Sequence, residues 1–527
     1  MDTTAPASAI ASCLASEGVR YLFGMPGGGN NLDVIGACEA SGIHFALAHT
    51  ETGAAIMASA YAELTDTVGA CVVTRGPGAA SAVNGAAQAQ QDRQPLLLFC
   101  DTVDEASTPR IAHQNIDQRA MFTPVTKWST TLGSADSEQV VRDAIHTATT
   151  PVRGAVHIDV DPGYGRRHAP PPQPAESGSM SDVARLVAVA RRPVILVGVG
   201  ARSHSAAIRK LVDGTAIPVL MTYKAKGIVP DSGVNAAGTF TGARTDGAVL
   251  YEADLILALG LDSVELIPNP WHYQAPVVAL TDAQDPYRYF DAEVTVVGPL
   301  ATLLEQLPQL NDSWPADFAT RRREVIDRAL LDGPGLGPGI APWDVVRIVR
   351  AAAAANSVAT VDAGAHMLVA MPLWKTEEPG QVLISSGLAT MGYSVPAAVG
   401  ASLATADARI YCFVGDGGLA MSLGELETIS RLRLPITVVV FNDSTLSLIK
   451  AKQKPHGHGG SAAVQYSRTD FAAVAAGMGI PSVTVGVEAE LQAALAPNDA
   501  GPQLLDVRVH PDTYRHVIDV VRNGVAG

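Results

Sequence analysis

Short apolar runs alternate with alanine-rich, helix-patterned stretches along most of this chain, and that alternation leaves few folds open. Up to residue 165 the runs are VRYLFGMPG, IHFALAH, GACVVTRGPG, PLLLFCD and AVHIDV. A second series, PVILVGVGA, IPVLMTY, ADLILALG and PVVAL, lies between residues 186 and 310. A third, SVATVDAG, QVLISSG, ARIYCFVGDGG, PITVVVFND and QLLDVRV, follows residue 343. Apolar strands joined by helices pair in parallel, with both sheet faces covered. The Pro/Ser/Gly-rich stretch RRHAPPPQPAESGSMSD lacks such periodicity and reads as a linker, and LPQLNDSWPADFATRRREV with DGPGLGPGIAP reads as a second connection. The expected fold is α/β, with three doubly wound parallel-sheet domains at 1–165, 186–310 and 343–527 and linkers at 166–185 and 311–342. In such open sheets ligands bind beyond the C-terminal strand ends.

Composition narrows the function. The formal net charge is −15 and no run of lysine or arginine offers a stripe for phosphates, so no nucleic-acid partner is expected. The opening MDTTAPASAIASCLASEGVRYLFG has no basic leader, and no segment reaches the roughly 18 to 20 apolar residues that span a bilayer. The expectation is a cytosolic protein with no membrane partner. Five cysteines (Cys13, Cys38, Cys71, Cys100, Cys412) are far apart and form no CxxC, so they read as buried small hydrophobes rather than as a metal or disulfide framework.

The chemistry concentrates in CFVGDGGLAMSLGELETISRLRLPITVVVFND. An apolar strand ends on Asp416, a helix beginning near Leu419 follows, and a second strand ends on Asn442. If the two strands are parallel neighbours, a carboxylate and an amide oxygen meet at one sheet edge. Hard oxygen donors of this kind suit Mg²⁺, which completes its octahedron with water and phosphate oxygens. Gly415, Gly417 and Gly418 let a diphosphate approach the backbone. On the residues alone, Asp-Gly after a strand is also an ordinary turn. Likewise Glu51, between IHFALAH and the helical TGAAIMASAYAEL, is an ordinary first-turn carboxylate stabilised by the helix dipole.

GDGG followed by VVVFND resembles the GDG…N(N/D) motif of thiamine-diphosphate-dependent enzymes, in the branch of acetohydroxyacid synthases, benzoylformate decarboxylases and related 2-oxo acid decarboxylases and carboligases. The resemblance covers essentially the whole chain. It implies pyrimidine-binding, central and diphosphate-binding domains, in that order. It implies that Asp416, Asn442 and the backbone carbonyl of Ser444 hold Mg²⁺, with Asp443 standing where the family has a second asparagine. DAGAH resembles the segment that touches the diphosphate, which carries over Gly364 and His366. Pro26 and Gly27 are further expected cofactor contacts. AHTETGAAIMASAYAELTDTVGACVVTRGPGAASAVNG resembles the block whose glutamate meets the cofactor pyrimidine, here Glu51, with His49 as its neighbour. The thiazolium C2 proton must leave before this cofactor can act, and a glutamate sharing a proton with the pyrimidine ring starts that relay. ISSGLATMGYSVPAAVGAS resembles the segment whose large apolar residue wedges between the two cofactor rings. That residue is Met391, with Ala389 supplying a carbonyl to the pyrimidine amino group.

The implied reaction is loss of CO₂ from a 2-oxo acid, followed by protonation of the resulting enamine or its ligation to an aldehyde or second oxo acid, as in acetolactate synthesis. The family places each active site between two chains, so a homodimer or tetramer is implied. The sequence departs from acetohydroxyacid synthases in places. Their Phe-Gln pair is His113-Gln114 here, with both residues candidates for the catalytic centre; their Pro-Lys is Asp161-Pro162-Gly163, and their tryptophan beyond the metal asparagine aligns with Lys452. Lys450 and Lys452 lie two apart, so at most one faces a substrate channel, and Lys452 is the choice. VILVGVGARS lacks the complete G-x-G-x-x-G fingerprint, and LALGLDSVELIPNPWHY lacks the arginine-rich segment of flavin-binding relatives, so FAD is not expected. The alternative within enzymes is a 2-hydroxyacyl or benzoin-type C–C lyase with the same cofactor; Glu51 together with Asp416 and Asn442 argues against a noncatalytic cofactor-binding regulatory paralogue, and the incomplete glycine pattern against a nicotinamide oxidoreductase.

Overall fold

The computed structural model describes residues 5–104, 111–165, 178–243, 246–267, 269–284, 289–334, 337–453, 462–496 and 501–523, the side chains of 452, 453 and 523 excepted. It contains three six-stranded sheets, and every neighbouring pair is parallel. The first comprises β1 (Tyr21–Met25), β2 (His44–Leu47), β3 (Gly69–Val73), β4 (Leu96–Asp101), β5 (Trp128–Leu132) and β6 (Ala155–Val160), in the order β2-β1-β3-β4-β6-β5. The second comprises β7 (Pro193–Val197), β8 (Val219–Met221), β9 (Ala236–Thr239), β10 (Leu255–Leu259), β11 (Val277–Thr281) and β12 (Val294–Val297), in the order β12-β11-β10-β7-β8-β9. The third comprises β13 (Val358–Val361), β14 (Val382–Ile384), β15 (Ile410–Gly415), β16 (Ile436–Asn442), β17 (Ser482–Val485) and β18 (Gln503–Arg508), in the order β14-β13-β15-β16-β18-β17. The α/β class with three parallel sheets is therefore as the alternation predicts.

The first and third sheets share one strand order, and the second has the doubly wound order of dinucleotide-binding folds. Four strands, β5, β9, β12 and β17, are absent from the apolar runs read in the sequence. Each is the outermost strand of its sheet. An edge strand has one flank free of neighbours and tolerates polar residues, so WSTTL and SVTV carry no continuous apolar signal.

The core explains how the first and third domains meet. The helix Glu51–Thr65 is capped by Thr50, whose Oγ1 accepts from Gly53 N at 2.9 Å, and it packs lengthwise on the helix Ser394–Ala404. Both helices are rich in alanine, so their backbones approach closely. A Cβ at Gly400 would strike the Met57 carbonyl. Around this pair Met57, Tyr61, Tyr393, Val395 and Ala398 join one apolar cluster that runs through both domains. The central domain has a separate core built from β7, β10 and β11. Polar contacts tie it to its neighbours: Arg93 to Asp262 at 2.7 Å, Arg202 and Lys224 to Glu63, and Arg209 to Glu378 at 2.9 Å. Burial would push Glu63 up, but Lys224 and Arg202 hold it below the usual carboxylate range. Among the described residues, no helix is long and apolar enough to cross a membrane.

Candidate active site

In the third domain β15 and β16 run side by side, with Gly415 opposite Phe441, so Asp416 and Asn442 emerge together at the sheet edge. The helix that follows β15 begins at Asp416 rather than near Leu419, and it ends at Met421. The Asp416 carboxylate takes the Gly417 N–H at 2.8 Å, which satisfies the first turn as soon as the strand ends. Asp416 also accepts from Ser444 N at 2.6 Å and from the Tyr466 hydroxyl at 2.6 Å. Burial raises its proton affinity, and these three donors oppose the rise.

Asn442 is fully buried, and its amide orientation is fixed by its partners. Nδ2 faces two acceptors, the Thr469 carbonyl at 2.9 Å and Asp506 Oδ1 at 2.8 Å, so only the NH₂ can lie there. The amide oxygen is left with no hydrogen-bond partner. A buried oxygen in that state needs a cation or a donor. Asp443 turns away and accepts from Thr445 N at 2.9 Å and from the Ser447 hydroxyl. Burial and the Asp416 charge push it up to about 7. Ser444 lies in the left-handed region at φ 61°, and its carbonyl accepts from Tyr466 N at 3.3 Å.

The DAGAH segment closes over this edge. His366 stacks on Phe441 with ring centroids 5.3 Å apart, and burial pushes its imidazole down to about 4, so the ring is neutral near pH 7. Its Nε2 has no partner. The ring lies so near Gly415 and Gly364 that a Cβ at either position would crowd it, at 3.3 Å and 2.7 Å respectively. Asp362 binds the next segment: its carboxylate accepts from Gly392 N at 3.0 Å and from Ser394 N and Oγ at 3.3 and 3.1 Å. A Cβ at Gly418 would stand 3.0 Å from the same carboxylate. This clamp holds Met391 above Gly417, where its Cε would lie 3.5 Å from an added Cβ, beside Leu446 and Tyr466. Ala389, two residues earlier, is exposed and adopts a left-handed φ of 52°.

A second group forms in the first domain. Gly78 has no side chain where Glu51 Oε1 stands, 3.1 Å from the position of a Cβ. Gly76, at φ 67°, lies under the backbone of Gln114, itself left-handed at φ 56°. Pro26 and Gly27 follow β1, and Gly27 packs on Thr74, which also touches Gly78. Glu51 and Gln114 therefore meet the backbone at Gly78 and Gly76, where the helix Pro77–Gln91 begins after β3, with Gly27 reaching the same place across Thr74 and Pro26 its chain neighbour. Exposed His113 precedes Gln114 in the same loop. The neighbouring His49 meets Glu427 of the third domain, Nε2 to carboxylate, at 2.7 Å.

Sequence reading missed Tyr466, Asp506 and Asp362, which support the Asp416, Asn442 and Met391 positions from distant parts of the chain. Lys450 pairs with Asp512 at 3.2 Å. The side chain of Lys452 and the PHGHGG stretch lie outside the described residues.

The central domain has its own feature at the crevice between β7 and β10. A cavity of 660 Å³ opens there against the first domain, lined by Val199, Gly200, Gly260, Arg93, Arg153 and Arg202 among others. The turn after β7 is where a dinucleotide-binding fold holds a pyrophosphate. Here the carboxyl of half-buried Glu265 takes that place. It accepts from Val199 N at 2.8 Å and from the Thr222 hydroxyl at 2.6 Å. Burial pushes it up to about 8.

Asp416 and Asn442 thus stand at adjacent strand ends beside glycines and a neutral histidine, and Glu51 stands in a domain of the same strand order. Three family models agree: the N-terminal TPP binding domain matches residues 5–121, the central domain of thiamine pyrophosphate enzymes matches 180–307, and the C-terminal TPP binding domain matches 362–507. The chain belongs to this family, in its acetolactate-synthase-like branch. It is 29% identical to the acetolactate synthase isozyme 1 large subunit of Escherichia coli, over 98% of this chain and 96% of that protein. Against an acetolactate synthase of Bacillus subtilis the identity is 28%, over 95% and 93% of the two chains. A probable acetolactate synthase large subunit of Methanocaldococcus jannaschii shows 27%, over 96% and 92%.

Proposed function

We propose that this thiamine-diphosphate-dependent enzyme uses Mg²⁺ to decarboxylate a 2-oxo acid and then protonates the product or joins it to an aldehyde or a second oxo acid. The observation that carries the metal is the unpartnered Asn442 oxygen, buried beside the Asp416 carboxylate. Asp416, Asn442 and the Ser444 carbonyl would hold the ion. Gly364, Gly415, Gly417, Gly418 and the unpaired Nε2 of His366 would receive the diphosphate, to which a neutral imidazole can donate. When bound, the cofactor supplies a carbon nucleophile and a sink for the electrons released with CO₂. Met391 would fix the bend between its rings, and Ala389 would offer a carbonyl to its amino group. Glu51 would exchange a proton with its pyrimidine nitrogen, while His113 and Gln114 border the space above.

Glu51 and Asp416 belong to separate groups of one chain, and large apolar side chains beside them, Met25, Ile116, Leu388 and Met421, are exposed. A second copy of the chain covering that surface would complete each site, so the working assembly is read as a homodimer or a tetramer. The reaction is tested by mass spectrometry of products after incubation with thiamine diphosphate, Mg²⁺ and a panel of 2-oxo acids and aldehydes. Release of CO₂ with a protonated or ligated product supports the reading, and conversion of 2-hydroxyacyl or benzoin-type substrates alone refutes it.

Flavin is not expected here, because Glu265 occupies the backbone N–H after β7 that a pyrophosphate would need. The purified protein should therefore carry no flavin absorbance, and added FAD should leave the rate unchanged. Flavin released on denaturation of the isolated protein would refute this.

A further inference from the structure

Glu425 opens the helix Glu425–Arg431 in the third domain, yet its carboxylate serves a helix of the first. Oε1 accepts from His49 N at 3.1 Å and from Thr50 N at 3.2 Å, the two residues that lead into Glu51. The Thr428 hydroxyl holds Oε2 at 2.9 Å and so fixes the carboxylate plane. The fit is close, since a Cβ at Gly53 would come within 2.5 Å of Oε1 and one at Gly424 within 2.7 Å of the His49 side chain. Two more side chains of the same helix reach the same segment: Glu427 meets the His49 ring, and Arg431 donates to the Leu47 carbonyl at 2.7 Å. Glu425 itself is 1% exposed, so these hydrogen bonds face little competition from water.

Backbone groups at 49 and 50 set where the first residue of the helix Glu51–Thr65 begins, and the Glu51 side chain inherits that placement. We propose that Glu425 is a positioning residue for Glu51: it locks the strand-to-helix turn of the first domain from the third, so that the activating carboxylate stands at the distance proton exchange requires. The inference rests on the role given to Glu51 above. It adds that the group completing that role lies 374 residues further along the same chain.

The test uses Glu425→Ala and Glu425→Gln in the full-length protein. A glutamine oxygen can still accept from both N–H groups, and the alanine cannot. Three quantities separate the possibilities: amide hydrogen exchange at residues 49 and 50 without cofactor, calorimetric affinity for Mg²⁺ with thiamine diphosphate, and C2 hydrogen–deuterium exchange of the bound cofactor. Glu425→Ala should speed amide exchange at 49 and 50, leave cofactor affinity unchanged and slow C2 exchange by about 10- to 100-fold, the scale of a small misplacement of a reacting group. Glu425→Gln should restore most of the C2 exchange. Wild-type C2 exchange in Glu425→Ala, no rescue by glutamine, or a matching loss of cofactor affinity would overturn the proposal. Should the alanine variant not fold, Thr428→Val removes only the hydroxyl that orients Oε2. It should slow C2 exchange without weakening cofactor binding, and an unchanged rate overturns the proposal. A wild-type protein that binds the cofactor without accelerating C2 exchange removes the role of Glu51 itself, and the proposal with it.

Discussion

Asp416→Ala should abolish tight binding of thiamine diphosphate while the chain stays folded. The carboxylate is the only charged group among the expected metal ligands, and the other two, an amide oxygen and a backbone carbonyl, cannot offset a divalent ion. Loss of a supporting residue outside the ligand set typically costs 10- to 100-fold in metal affinity, so loss of the ligand itself should cost at least about that much. The substitution also strands the Ser444 N–H and the Tyr466 hydroxyl. Ser444 is only half-buried and the exposed Tyr466 hydroxyl can turn to water, so the loss should be about 1 kcal/mol or less, lowering the melting temperature slightly without preventing folding. Calorimetric titration with Mg²⁺ and the cofactor, next to a circular dichroism spectrum, checks both statements. Wild-type affinity in a folded variant would exclude Asp416 from the metal site.

Glu51→Gln should slow C2 hydrogen–deuterium exchange of the bound cofactor by about 10²- to 10⁴-fold, the usual worth of a positioned general acid–base group. The glutamine has the same shape, the Thr50 cap to Gly53 N is untouched, and the space left by Gly78 is the same, so the fold and the affinity should persist. Only the capacity to exchange a proton is lost. Exchange at the wild-type rate would show that another group starts the reaction.

Much of this site could be read from the sequence because it is written at strand ends. A strand announces itself by its apolar run, and the residue that terminates it is placed by the sheet without further information, which is how Asp416 and Asn442 come together. Tyr466, Asp506 and Glu425 are different. Each acts through hydrogen bonds to a remote segment, and no local pattern distinguishes a tyrosine over Asp416 from one at a surface; Tyr466 is in fact 41% exposed. The orientation of Asn442 was equally hidden, since it follows from Asp506 on a neighbouring strand. Helix starts also slipped: two glycines after Asp416 suggested a later beginning, and the carboxylate's own bond to Gly417 N overrides their weak helix preference. Four of the six edge strands escaped because a free flank tolerates polar residues, whereas β2 and β14 kept legible apolar runs.

The shared core of the first and third domains has a consequence for unfolding. The helix Ser394–Ala404 packs on the helix Glu51–Thr65, so opening either domain alone would leave that alanine-rich face bare to water. These two domains should therefore lose structure together. The central domain keeps its own core and meets them largely through ion pairs such as Arg93 with Asp262 and Lys224 with Glu63. It is a separate cooperative unit, able to open while the two domains that share a core stay closed around each other.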